Sequence, residues 1–138
     1  MSRLILRYHR DPYDSYNPLG ADVETPRFRG RGGMEVPWQD LQDFAAALAA
    51  YPIPAGTSVE SHWGFRKCEG DDLILLIEIT PLNLRGDLRA RVEIADQDNP
   101  SQRLRAAFKT NYSAIDRFRK QLLAMAEGEA FEAELGED

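Results

Sequence analysis

Cysteine is nearly absent. Cys68 stands alone among 138 residues, which excludes an intramolecular disulfide and any metal site built from several thiolates, and agrees with a reducing compartment. Histidine is almost as scarce, with His9 and His62 only. No G-x-S-x-G, H-E-x-x-H or P-loop pattern occurs. The residues therefore spell out no catalytic constellation, and neither a metal nor a cofactor is expected. Long apolar runs are missing as well, so no segment reads as membrane-spanning. The opening MSRLILRYHRD carries too short an apolar stretch for a secretory signal, and a cytoplasmic protein is expected. Bases are missing from the last twelve residues, EGEAFEAELGED, where Glu127, Glu129, Glu132, Glu134, Glu137 and Asp138 gather six of the 23 acids. That leaves residues 1–126 balanced at 17 charges of each sign, which argues against a dedicated nucleic-acid binder. Residues 129–138 read as a solvated acidic tail outside a single domain of residues 1–128, dispensable for folding. The alternative is a tail that covers a basic face of its own domain.

The hydrophobic share of 43% is enough for one real core at this length. Ser2–His9 alternates as a strand. Arg10–Gly20, with Pro12, Asn17, Pro18 and Gly20, reads as a loop, and Ala21–Arg29 as a weaker strand interrupted by Pro26. Arg29–Gly33 (RGRGG) reads as a flexible turn before a helix over Val36–Ala50, whose stripe is Trp38, Leu41, Phe44 and Leu48. Four period-2 stretches follow: Ser58–Arg66, Asp72–Thr80, Asp87–Ala95 and Arg103–Thr110. Tyr112–Ala126 closes the series as an amphipathic helix with the stripe Ile115, Phe118, Leu122 and Met125, and Ser113 with Asp116 resembles a capping box. Short links favour antiparallel neighbours. The expected fold is α+β, in the order β-β-α-β-β-β-β-α: a mainly antiparallel sheet of about six strands with both helices packed on one face.

Candidate chemistry is sparse. A Cys68–His62 pair lies six residues apart along a strand and its turn and reads better as two unrelated residues. His9, Asp11 and Asp14 sit close together in the first loop, but Asp-Pro-Tyr-Asp is a turn-forming sequence. RGRGG lacks the strand-to-helix context of a phosphate loop. The strongest surface signal is basic. If Leu88, Ala90, Val92 and Ile94 face the core, then Arg89 and Arg91 face outward, and so do Arg103, Arg105 and Lys109 on the next strand. That side reads either as a solvated face with local ion pairs or as a partner-binding face, with Glu60, Glu78 and Glu93 as internal counter-charges. Ile74 and Leu76 share it with Glu78, which suits a covered surface.

The N-terminal strand, the Asp-Pro-Tyr-Asp loop, the helix LQDFAAALAAYP, the paired strands LILLIEITPLNLRGDLRARVEIAD and the closing LRAAFKTNYSAIDRFRKQLLAMAEG together resemble the small immunity-type proteins of bacterial polymorphic toxin systems. The resemblance spans most of the chain and is one of layout. It implies a non-enzymatic cytoplasmic protein that binds and neutralises a toxin domain, with Arg89, Arg91, Arg103, Arg105 and Lys109 as the partner-binding residues. Two other readings stand beside it. One is a small-ligand binder or enzyme with a site among His9, Asp11, Asp14, Tyr16 and His62, near the Arg10–Gly20 loop. The other is a homodimer that buries the sheet face.

Overall fold

The computed structural model describes residues 1–67 and 69–137. Cys68, and with it the Cys68–His62 pair, lies outside the described residues. The fold is α+β and antiparallel, but the eight strands of the described residues form two four-stranded sheets rather than one sheet of six. Strands β1 (Arg3–Tyr8), β2 (Tyr16–Glu24) and β3 (Arg29–Pro37) run as a meander into helix α1 (Trp38–Ala47). A second meander follows: β4 (Val59–Gly64), β5 (Leu73–Pro81), β6 (Asp87–Ala95) and β7 (Arg103–Asn111). Helix α2 (Tyr112–Ala126) and strand β8 (Glu132–Gly136) complete the chain. The first sheet has the order β3-β2-β1-β8 and the second β4-β5-β6-β7.

Each helix carries the chain from one sheet to the other, α1 from β3 to β4 and α2 from β7 to β8. This is why the expectation of two helices on one sheet face fails: strands joined through a helix here belong to different sheets. The helices meet each other through the edge-to-face pair Phe44–Phe118, with centroids 6.4 Å apart. The inward residues of both sheets and both helix stripes form one cluster, from Leu4, Leu6 and Leu135 to Ile77, Val92 and Phe118. Asn111 caps α2, its side chain accepting from the Ala114 amide at 2.9 Å. Ser113 lies inside the helix, where Asp116 pairs with Arg119 and Lys120.

Three segments take a different form from the one their composition suggests. The second half of the expected Arg10–Gly20 loop is strand, since β2 begins at Tyr16 and pairs with β3 from Tyr16↔Pro37 to Gly20↔Gly33. RGRGG is strand, not turn. It forms the first half of β3, paired with β2 from Glu24↔Arg29 to Gly20↔Gly33, and the turn lies earlier, where the Thr25 amide donates to the Phe28 carbonyl. Its inward glycines let β3 cross closely over the second sheet. A Cβ on Gly30 would stand 2.6 Å from the Leu104 side chain, and one on Gly32 would stand 2.8 Å from that of Ile94. The acidic tail is also structure. Residues 132–136 are β8, hydrogen-bonded to β1, with Ala133 and Leu135 buried in the core. Glu134 pairs with Arg3 at 3.1 Å and Glu132 with Arg7 at 3.3 Å. Alternation of Glu132 and Glu134 outward with Ala133 and Leu135 inward explains how an acid-rich strand completes a basic one.

Candidate functional site

Sheet register places all five expected cations on the outer face of the second sheet. Leu88, Ala90, Val92 and Ile94 are buried toward the core, so Arg89, Arg91, Glu93 and Ala95 point away from it. On β7, Arg103, Arg105, Ala107 and Lys109 are their cross-strand partners or diagonal neighbours.

The five are not equivalent. Glu93 is 5% exposed and is gripped from one side by Arg103 and, at 3.2 Å, by Arg105. Arg103 also donates to the Leu73 carbonyl at 3.0 Å and the Pro100 carbonyl at 3.1 Å. Because Leu73 is on β5 and Arg103 on β7, the guanidinium spans β6, and its side chain is only 15% exposed. This bridge lies over the row that contains Ala95 and Ile74, both buried although they face outward. Arg91 lies opposite Glu78 and donates to it twice, at 3.1 and 3.4 Å. The bond to Glu78 is the chief reason its guanidinium is held even more firmly protonated than usual.

Three cations remain available. Arg105 keeps 72% of its side chain in solvent despite its contact with Glu93, and Lys109 keeps 64%, with Asp87 at 3.6 Å. Arg89 is exposed and has no ion-pair partner among the described residues. Its Cα partner on β7 is Lys109, so two like charges face each other across the ladder. Such a pair is unfavourable by about 0.2–1 kcal/mol in the isolated sheet. Arg105 lies four residues from Lys109 on the same side, about 13 Å away along the strand. Of the acids on this face, Glu60, Glu78 and Glu93 lie toward β4 and the centre, Asp87 lies beside Lys109 at the start of β6, and all but Glu60 are already engaged. What is left is a border along β6 and β7 where Arg89, Arg105 and Lys109 outnumber the one acid beside them, Asp87.

The rival constellation is not brought together. His9 follows the last residue of β1 and stacks on Phe131, with centroids 4.5 Å apart. His62 lies on the outer face of the other sheet, opposite Leu76. Asp11 is used within its own turn, accepting from the Tyr13 amide at 2.9 Å, while Asp14 and Tyr16 point into solvent. Among the described residues no three His, Cys, Asp or Glu side chains converge as a metal site, and no helix is long and apolar enough to cross a membrane.

One feature near the cationic border had no sequence signal beyond scattered leucines. Between the β5–β6 hairpin and the loop after α1 lies a groove of about 480 Å³, lined among others by Tyr51, Ile53, Leu82, Leu84, Arg85 and Tyr112. Compared with known proteins, the chain matches no family model, no curated sequence and no solved structure.

Proposed function

We propose that this protein is a non-enzymatic binding module that receives an acidic surface of a partner protein on the outer face of its second sheet. In the immunity-type reading it would act in the cytoplasm, covering a toxin domain and holding it inactive by occlusion. The observation that carries the proposal is the border formed by Arg89, Lys109 and Arg105: cations on adjacent strands, with Arg89 directly opposite Lys109. Like charges so placed cost stability in the free protein and gain it when an acidic partner arrives. Arg91 contributes through its exposed edge. Arg103, committed to Glu93 and two backbone carbonyls, serves by tying β7 to β5 across the face.

The test is a triple charge reversal of Arg89, Arg105 and Lys109 to Glu. The partner is captured from extract of the native cells with wild-type protein, and its association with each form is then timed at low and moderate salt. The variant should associate more slowly, by tenfold or more at low salt, and with a weaker salt dependence, because cations at a rim act mainly through encounter. Equal rates for the two proteins would remove this face from consideration.

A further inference from the structure

Strand β1 shows, within this protein, how a cationic strand is completed. Its outward Arg3 and Arg7 flank the apolar Ile5, while Leu4 and Leu6 point into the core. Beside it lies β8, which alternates acid outward with apolar inward, so that Glu134 meets Arg3 at 3.1 Å, Glu132 meets Arg7 at 3.3 Å, and Ala133 and Leu135 are buried. Strand β7 repeats the pattern of β1. Its outward Arg105 and Lys109 flank Ala107 at the same spacing, while Ala106 and Phe108 point inward. On one side β7 pairs with β6 as β1 pairs with β2, and the neighbour supplies acids in both cases: Glu24 to Arg3, and Glu93 and Asp87 to Arg105 and Lys109. On its other side β7 has no strand among the described residues.

An antiparallel strand bonds its neighbours through alternate residues, so about half the backbone groups of β7 point away from β6. Among the described residues no backbone hydrogen bond ties them to another segment. The inner row is unfinished at this edge as well: Ile77 and Val92 are fully buried on β5 and β6, whereas Ala106, next in the same row, is partly exposed. The other edges lack this combination. β8 is acidic, β4 breaks register between Trp63 and Gly64, and β3 pairs Arg29 with Asp22 and Glu24 and turns glycines inward. Cations on an edge repel a second cationic strand and leave an acidic one as the favoured addition. We infer that the free edge of β7 takes an extended segment of the partner protein as a fifth strand, its carboxylates alternating outward to Arg105 and Lys109 and its apolar side chains inward beside Ala106. This rests on the binding-module reading above and adds to it the form of what is bound: alternating acid and apolar residue on one strand, as in β8, rather than an acidic surface of any shape.

The test uses isotope-labelled full-length protein and four seven-residue peptides. The first alternates Glu with Val. The second is the same with N-methyl groups on its three central residues, the third places all its Glu before all its Val, and the fourth carries Gln for every Glu. The first should shift the amides of residues 103–109 and slow hydrogen exchange at those directed away from β6, with the amides of β4, at the far edge of the sheet, unmoved. It should bind at least tenfold more tightly than each of the others. Arg105→Ala combined with Lys109→Ala should erase its advantage over the Gln peptide. If the N-methylated or the block peptide binds as well as the first, the added strand is wrong while the cationic face survives, since both keep the charge. If the Gln peptide binds as well, the acid requirement is wrong, and with it the proposed occupant. No shift from any peptide would overturn the added strand, and the association rates of the captured partner would still decide the face.

Discussion

Arg103 and Arg105 stand two residues apart on β7 and point to the same side, yet their environments assign them opposite duties. Arg103 crosses β6 to reach Leu73 and shields outward-facing apolar residues, whereas Arg105 touches only Glu93 and stays mostly in solvent. Replacing Arg103 with Ala leaves a nearly buried Glu93 with one weak partner and a strand carbonyl unpaired. A loss of about 1.5–3 kcal/mol in denaturant melts is expected. Arg105→Ala should cost less than about 1 kcal/mol, because its guanidinium stays mostly in solvent and Arg103 still holds Glu93. The contrast separates a residue that maintains the face from one available to a partner. Gly32 is a second case of identity set by a neighbour. Adding a methyl group there drives it into Ile94 and the Ala95 carbonyl oxygen, 3.1 Å from the added carbon, so Gly32→Ala should destabilise by about 1–3 kcal/mol through overpacking.

Among the elements, β8 carries the clearest consequence. It pairs with β1 along Arg3–Arg7, packs against α2, and seals the core with Leu135. Its carboxylates and the cations of β1 alternate with the acids of β2 and the Arg29 of β3, giving an ordered charge ladder across the first sheet. Truncation after Gly128 removes this strand and exposes the inward side of β1. The shortened chain should lose its cooperative thermal transition or melt far below the full-length protein. The single change Leu135→Ala, which keeps the backbone pairing, should cost about 2–5 kcal/mol. Near-normal melting of the truncated form would show that β8 is an ornament on a self-sufficient domain.

For the whole molecule, acid is the condition that tests the charge pattern. Asp87, Asp116 and Glu137 are all held below their ordinary carboxylate range. The leading causes are the hydrogen bond from Asn83 for Asp87, that from Arg119 for Asp116, and that from Ser2 for Glu137. Between the lowered folded value and the unfolded value near pH 4, the unfolded chain binds more protons, so stability rises with pH there. The contribution is complete above the unfolded value and disappears as pH falls through the folded one. Urea midpoints measured at falling pH should therefore decline below about pH 4, and Asp87→Asn should make that decline shallower.

Period and alternation in the sequence were enough to set the helix α2 to its ends, the strands β5, β6 and β7 within a residue or so, and the outward direction of Arg89, Arg91, Arg103, Arg105 and Lys109. These are local properties: a 3.6- or 2-residue repeat depends on which neighbours share a face, and short links force antiparallel pairing. RGRGG and EAEL alternate just as regularly, but glycine and glutamate conceal the pattern under a composition typical of turns and tails. Their strand character depends on partners distant in the chain, Leu104 and Ile94 for the one and β1 for the other. Tertiary structure alone also decided that the strands divide into two sheets, because a helical crossover can return to the same sheet or leave it, and only the packing of one shared core chooses between them. It decided, finally, which arginines are free, since an ion pair such as Arg103–Glu93 is set by distances across strands.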